Sequence, residues 1–448
     1  MRSNFLYILC IIGVFLSSCK DKNDNKVTTN SDTEVTSFYF AANDSFPSIG
    51  NTTFTISNYA SQDSGLITNI DSMAYLTPVD SLVPRFKFKS TPSSAVIITS
   101  DTTITLTGTD TIDFTNPVLL RVISSDLTAT KYYRIKVNVH QADPDLFDWQ
   151  QLCQAVVPIG TASTQGLVLD GQFYLFANDG FQTVVYQSAD GSTWDNGTLP
   201  STLPQNCNVR ELLASEATGK IYYCQQGIVY TSTDGVTWSE RDLSAETYVP
   251  RVVQMEFNDS VWMVVEHSTE HTFHLAVEDG DSWRTRTEPL PANWPLTDYA
   301  VVTFKSSSER ARVMIVGGYD TEGNPLNSRW NLEYNPIGGY RYANFAIDRP
   351  LCSAILGASV VYYGKMFYLF GGVDAEAQYI SETALCSDDE GLNWYPIDTT
   401  HNRLMDVYSP RTQTSAFVHQ SRVYLMGGQS RTEFFSDVLS GKLTSIDW

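Results

Sequence analysis

Positive charge is what this sequence has least of. Lys and Arg number 29 against 50 Asp and Glu, for a formal net charge of -21. No basic run is long enough to follow a phosphate backbone, which argues against a nucleic-acid partner. The same surplus of carboxylates repels an anionic membrane surface, so membrane contact requires an anchor. Cysteine is scarce and ill-spaced. There is no C-x-x-C pair, and the five cysteines after Cys19 (Cys153, Cys207, Cys224, Cys352, Cys386) are an odd number. That argues against a disulfide framework or a zinc site, and no metal or cofactor is expected. Charged residues reach only 18% while aromatics reach 12%, a balance of secreted β-rich chains rather than of disordered or coiled-coil ones. The one clear apolar run, Phe5 to Leu16, is too short to span a bilayer as a helix.

That run sits behind Met1-Arg2-Ser3-Asn4 and before Leu16-Ser17-Ser18-Cys19, so residues 1–18 read as a secretory signal. The Leu-Ser-Ser-Cys ending resembles a bacterial lipobox, which implies that Cys19 is lipidated and becomes the mature N-terminus. A plain signal with an incidental cysteine is the alternative. A polar tether, 19–34, follows, and its Lys20-Asp21 start is similar to the surface-export tags of Bacteroidetes lipoproteins. The expected location is the outer membrane, lipid-anchored and facing outward, with the lipid as the only membrane contact.

Residues 35–141 read as short strands separated by turn residues. Phe38-Tyr39-Phe40, Phe54-Thr55-Ile56, Phe86-Lys87-Phe88, Ile104-Thr105-Leu106 and Val118 to Ile123 are the clearest, and Tyr133 to Val139 alternates apolar with polar. Roughly seven Thr- and Ser-rich strands suggest a β-sandwich. The wording Asp113-Phe114-Thr115-Asn116-Pro117-Val118, Arg121 to Asp126 and Lys131 to Val137 resembles the last quarter of an Ig-like module common in Bacteroidetes surface lipoproteins. The resemblance implies a spacer or adhesion role. Gln141-Ala142-Asp143-Pro144-Asp145 then marks a boundary.

From 146 to 448 the chain repeats itself. Apolar strands centred on Tyr174, Tyr222, Trp262, Met314, Tyr368 and Tyr424 recur at steps of 48, 40, 52, 54 and 56 residues. A four-stranded unit cannot bury both faces alone, so units at this period stack radially as propeller blades. The last three copies end in Gly317-Gly318, Gly371-Gly372 and Gly427-Gly428 and resemble kelch repeats. The first three copies lack the double glycine and carry Ser-x-Asp-Gly-x-x-Trp turns, Asp190 with Trp194, Asp234 with Trp238 and the worn Asp279 with Trp283, and the fifth copy has the longer Ser-x-Asp-x-Gly-x-Asn-Trp form, Asp389 with Trp394. These resemble the Asp-boxes of sialidase-like propellers, where the Asp bonds turn amides and the Trp packs between strands. That resemblance puts them on the face away from a ligand, as structural residues. The expected architecture is all-β: an Ig-like sandwich, then a six-bladed kelch/sialidase-like propeller. Trp149-Gln150-Gln151-Leu152 is expected to complete the last blade; residues 442–447 are the alternative.

No catalytic set is legible. His267-Ser268-Thr269-Glu270-His271 has the H-x-x-E-H spelling of a zinc motif, but that motif needs a helix and this copy falls on a strand-to-strand turn. The sialidase arginine signature and the ligands of kelch-type copper oxidases are missing. Arg210, Arg251, Arg349 and Arg411 each fall at or before the first strand of a repeat, near the turns of Tyr319, Asp320, Asp374 and Gln429. Ringed round a channel mouth, they would hold an anionic or sugar ligand; the alternative is that the arginines bond backbone carbonyls at the rim. Three functions stay open: non-catalytic binding of a glycan or protein ligand, a glycan-active hydrolase or lyase, and a structural or assembly subunit. The scaffold does not choose among them.

Overall fold

The computed structural model describes residues 29–444 apart from 44, 59–63, 142, 144–145, 158–162, 281, 307–309, 336–338 and 346–352. The signal segment, Cys19, most of the tether, Arg349 and Cys352 lie outside the described residues. The chain divides into two compact units, Met1–Gln141 and Ala142–Trp448.

In the first unit Phe54–Asn58, Ser64–Asn69, Thr130–Lys136, Val118–Ile123, Ser94–Ile98 and Thr103–Thr105 form one sheet in that spatial order. Val35–Phe40 and Pro84–Phe88 form a second sheet. Ser64–Asn69 runs parallel to Thr130–Lys136, and the other neighbours run antiparallel. Alternation decides what is buried. Val118, Leu120 and Val122 face one way and meet Phe38 and Phe40 of the small sheet in a single core, closed by Tyr133 and Ile135. Ser64–Asn69 and Ser94–Ile98 are not among the clearest strands by sequence, being short and bounded by Ser and Asn.

The second unit is a β-propeller. Its described strands form six antiparallel sheets. Their first strands are Ser163–Leu169, Leu213–Ser215, Tyr248–Phe257, Ala300–Lys305, Ser359–Tyr363 and Ser415–His419. The second strands carry the repeated apolar words: Gln172–Asn178, Lys220–Gln225, Ser260–His267, Ala311–Val316, Met366–Phe370 and Arg422–Gln429. These words are apolar throughout because each second strand is covered on both faces. In the first sheet Tyr174 and Phe176 pack towards Ile221, Tyr223 and Trp238 of the second, while Phe173 and Leu175 pack towards Tyr424 and Met426 of the sixth. Each of the six interfaces between successive sheets has its own apolar cluster, so the ring is closed by hydrophobic burial at every step.

Hydrogen bonds close it as well. Phe434–Leu443 pairs with Phe147–Cys153, so the first strand of the unit is the outermost strand of the last sheet. Trp149 is buried there, its indole N–H donating to Asn402 at 3.0 Å.

The double glycines stitch sheet to sheet. Gly318 N–H donates to Ile355 O at 2.8 Å and Gly372 N–H to Arg411 O at 3.1 Å, each reaching the approach to the next sheet's first strand; Gly428 N–H donates to the Thr164 hydroxyl at 3.1 Å. All six glycines of the three pairs have positive φ. A Cβ on Gly371 would run into the Arg411 carbonyl, and one on Gly427 into the Thr164 hydroxyl.

Candidate functional site

The first strands of all six sheets line one cavity of about 330 Å³ in the middle of the ring. The walls are mixed because a first strand has one face on its neighbours and one on this channel. Four charged residues line it, Arg210, Glu211, Asp298 and the exposed Glu216 that follows the first strand of the second sheet. Arg210 and Glu211 come from the single 3-10 turn Val209–Glu211 that leads into the second sheet. Asp298 comes from the turn before the fourth sheet and holds a left-handed φ of 52°.

Arg210 donates through Nη1 to the Ser415 hydroxyl at 3.1 Å, to Thr164 O at 3.4 Å and to the Gln165 side-chain oxygen. It therefore bridges the first, second and sixth sheets across the channel. Burial lowers its pKa to about 10, with Asp298 drawing it back up. Burial raises Glu211 to about 7; the Asn208 side chain, donating at 2.9 Å, partly offsets this, and the nearby Asp298 charge adds to the rise. Asp298 is itself pushed up by burial and held back by Arg210. Near neutral pH Glu211 is thus a carboxyl on the edge of ionising beside the Arg210 guanidinium. The Gln254 side chain, also lining it, is committed to Trp294 Nε1 at 3.0 Å and Pro295 O at 2.8 Å, which makes it a fixed wall.

Of the described ligand candidates singled out by sequence, only Arg210 lies in this cavity. Arg251 is on a bulged stretch of its strand and is turned to Glu266, whose carboxylate also accepts from His271 at 2.7 Å. Arg411 is 2% exposed and paired with Asp437; it also donates to Ser409 O at 3.0 Å and Gly427 O at 3.2 Å, the carbonyl-bonding role. Of the three described arginines, one enters the channel, and two are bonded to carboxylates of their own sheets, the exposed Arg251 to Glu266 and the buried Arg411 to Asp437.

Asp320 and Asp374 are turn formers. Asp320 accepts from Glu322 N and Asn324 N at 2.9 and 2.8 Å, and Asp374 from Glu376 N and Gln378 N at 3.0 and 2.8 Å. Tyr319 bridges backbone-to-backbone with Thr297 and Pro325, and Gln429 donates to the Gln413 side chain at 3.2 Å. Glu211 and Asp298 were missed. Their only sequence signal is position, just ahead of a first strand, and 50 acidic residues hide it.

The Asp turns differ among themselves. Asp190 accepts from Ser192 N and Thr193 N at 2.8 and 2.9 Å, and Asp234 from Val236 N and Thr237 N at 2.8 and 2.7 Å. Trp194 and Trp238 donate their indole N–H to the turn glycines' carbonyls. Asp389 accepts from Asn393, but the Trp394 indole N–H has no hydrogen-bond partner. Asp279 instead ends a strand, 3.9 Å from Arg284, and Trp283 pairs across from Glu278.

His267 accepts from Glu270 N, and His274 is buried between the Thr272 hydroxyl and Arg286 O. Among the described residues no group of three His, Cys, Asp or Glu is placed to hold a metal ion. Cys207 and Cys224 are buried thiols raised by burial to about 11 and about 12, packing as small apolar side chains. No helix of the described residues is long and apolar enough to cross a membrane.

Residues 143–448 match the family described as the DUF6242 beta propeller domain, and residues 18–137 match the N-terminal domain of unknown function of the same family. The chain belongs to the DUF6242 family. A comparison with curated proteins finds no match. Solved structures with a similar course include a streptogramin B lyase, at 10% identity and a TM-score of 0.37, covering 66% of this chain and 98% of that one. A luciferin-regenerating enzyme aligns at 8% identity and a TM-score of 0.39, over 66% and 95% of the two chains. YjhT aligns at 12% identity and a TM-score of 0.30, over 62% and 75%. Resemblances this distant carry nothing about activity or ligand.

Proposed function

We propose that this DUF6242 protein is a surface lipoprotein that binds a glycan end in its propeller channel without transforming it. In this reading a lipid on Cys19 holds it in the outer membrane. The Ig-like first unit is a spacer, and six kelch/Asp-box blades form the binding head. The anchor rests on Leu16-Ser17-Ser18-Cys19. The binding reading rests on one observation: Arg210, Glu211 and Asp298 line a single cavity of about 330 Å³. Donor and acceptor groups side by side suit hydroxyls, which need both, and that volume lies at the small end of ligand sites. It admits a terminal sugar or two rather than a folded partner.

Calorimetry with a panel of oligosaccharides tests this. Arg210→Ala and Asp298→Asn should each weaken binding at least tenfold, and unchanged binding in both would remove the channel from consideration. Cys19→Ser should move the protein from the membrane to the soluble fraction.

A second reading has its own support. Glu211 and Asp298 share the cavity, burial raises both, and the Asp298 charge adds to the rise of Glu211, the kind of pairing that separates an acid from a base in glycoside hydrolysis. Sugar released from polysaccharides by the wild type, and abolished by Glu211→Gln, would favour a hydrolase over a binding protein.

A further inference from the structure

A second cavity, about 540 Å³, opens on the fourth sheet beside the Asp389 turn of the fifth, and four arginines line it: Arg310, Arg312, Arg329 and Arg341. Strand alternation builds this face. Arg329, Asn331 and Glu333 are two residues apart on one strand, so their side chains point the same way. Across the strand Gly339–Phe345 they stand opposite Phe345, Ala343 and Arg341; across Ala311–Val316, Glu333 stands opposite Arg312.

The charges do not balance. Glu333 accepts from Arg310 at 2.9 Å and Arg312 at 2.8 Å, and Glu390 accepts from Arg312 at 2.6 Å. Both carboxylates hydrogen-bond those two arginines; the Glu390 and Asp389 charges reach Arg329 only through space, without a hydrogen bond. Arg329 is left 2% exposed, over the Phe345 ring at 4.6 Å, with Nε and Nη1 buried and without a hydrogen-bond partner. Arg341, exposed on the same face, makes no ion pair among the described residues. Two residues from Arg329, the Asn331 side-chain oxygen is a buried acceptor also without a partner. A buried guanidinium with idle donors is costly unless something accepts from them. The cavity wall supplies nothing that does, in a chain whose net charge is -21.

We infer that this cleft between the fourth and fifth sheets binds a hydroxylated organic oxyanion, of the chemistry of a sugar acid. The oxyanion answers the Arg329 and Arg341 guanidiniums. A hydroxyl donates to Asn331, and the ring-sized body lies against Phe345 and Leu392. The volume is several times that of a bare sulfate or acetate, which would leave Phe345 and Leu392 uncovered. The site is separate from the channel and shares no lining residue with it.

The test is titration calorimetry on the full chain with glucuronate, glucose, acetate and sulfate as probes. Glucuronate should bind, more weakly as salt is raised, while glucose at the same concentrations gives no heat in the Arg210→Ala protein, whose channel is disabled. Arg329→Met should weaken glucuronate at least tenfold, and Arg341→Gln, exposed and outside the core, should weaken it several-fold with an unchanged melting temperature. Arg210→Ala should leave it unaffected, so this site and the channel reading fail or stand independently. Absence of glucuronate binding at tens of millimolar, full binding in the Arg341→Gln protein, or glucose binding that persists in the Arg210→Ala protein would each overturn the proposal. Acetate or sulfate binding as tightly as glucuronate would overturn the ring-bearing ligand.

Discussion

The guanidinium of Arg411 meets the carboxylate of Asp437 in two hydrogen bonds, at 2.6 and 3.2 Å, between the rings of Tyr408 and Phe435. Both side chains are nearly inaccessible, so each charge is tolerated only because of the other. Arg411→Met or Asp437→Leu alone should cost about 3–5 kcal/mol, the usual result of stranding a buried charge. The double substitution should cost less than the sum. Urea denaturation of the full chain measures all three, and single losses below about 1 kcal/mol, the worth of an exposed pair, would contradict the assignment.

Glu211 makes stability depend on pH in an unusual direction for a carboxylate. Burial raises it in the folded chain from 4.5 to about 7. Between these values the folded state binds more protons than the unfolded one, so stability falls as pH rises. The contribution is complete below pH 4.5 and is lost as pH climbs through about 7, a change on the order of 3 kcal/mol. Urea midpoints from pH 4.5 to 8 should show this decline, and Glu211→Gln should flatten it. Parallel pH profiles for the two proteins would refute the environment assigned to Glu211.

Gly371 is held against its neighbour sheet. Its φ is +66°, and a Cβ would press on the Arg411 carbonyl. Gly371→Ala should cost about 2–5 kcal/mol, adding left-handed strain to overpacking. Ala at Gly323, also at positive φ but with open space around it, gives the comparison. Thermal melts that rank the two equally would show that the close approach is not the cause.

Trp149 closes the ring. Its ring is buried against Phe147 and Phe370, and Gly441 opposite has room only for hydrogen. Trp149→Ala should cost about 3–5 kcal/mol. Limited proteolysis should then cut first in the last sheet; unchanged protection there would count against closure by this strand.

The propeller was legible because second strands have no solvent face. Tyr174 to Tyr424 mark six stretches apolar on both sides, and the spacing between them survives sequence drift. First strands were harder to read. Gln165, Gln254, Ser359 and Ser415 face the channel and break any apolar run. The channel site was legible in one residue of three: Arg210 stands out in a chain poor in cations, whereas Glu211 and Asp298 look like any surface acids. Arg411 was found by position, but its partner Asp437 lies on another strand of the sheet, and sequence does not display such pairings. Arg329 and Arg341 were overlooked because nothing in a strand's alternation says whether a charged face meets water or a neighbouring turn.

Closure by Phe147–Cys153 has a consequence for synthesis. The first strand of the propeller to leave the ribosome is the one that finds its partner last, since Phe434–Leu443 emerges only after the strands of the first five sheets. Until then the sixth sheet lacks its outer strand, and Phe147 and Trp149 have no core to enter. A nascent chain of this kind carries an unpaired, aromatic strand for most of its manufacture, a segment that binding factors acting on emerging polypeptides are built to shield.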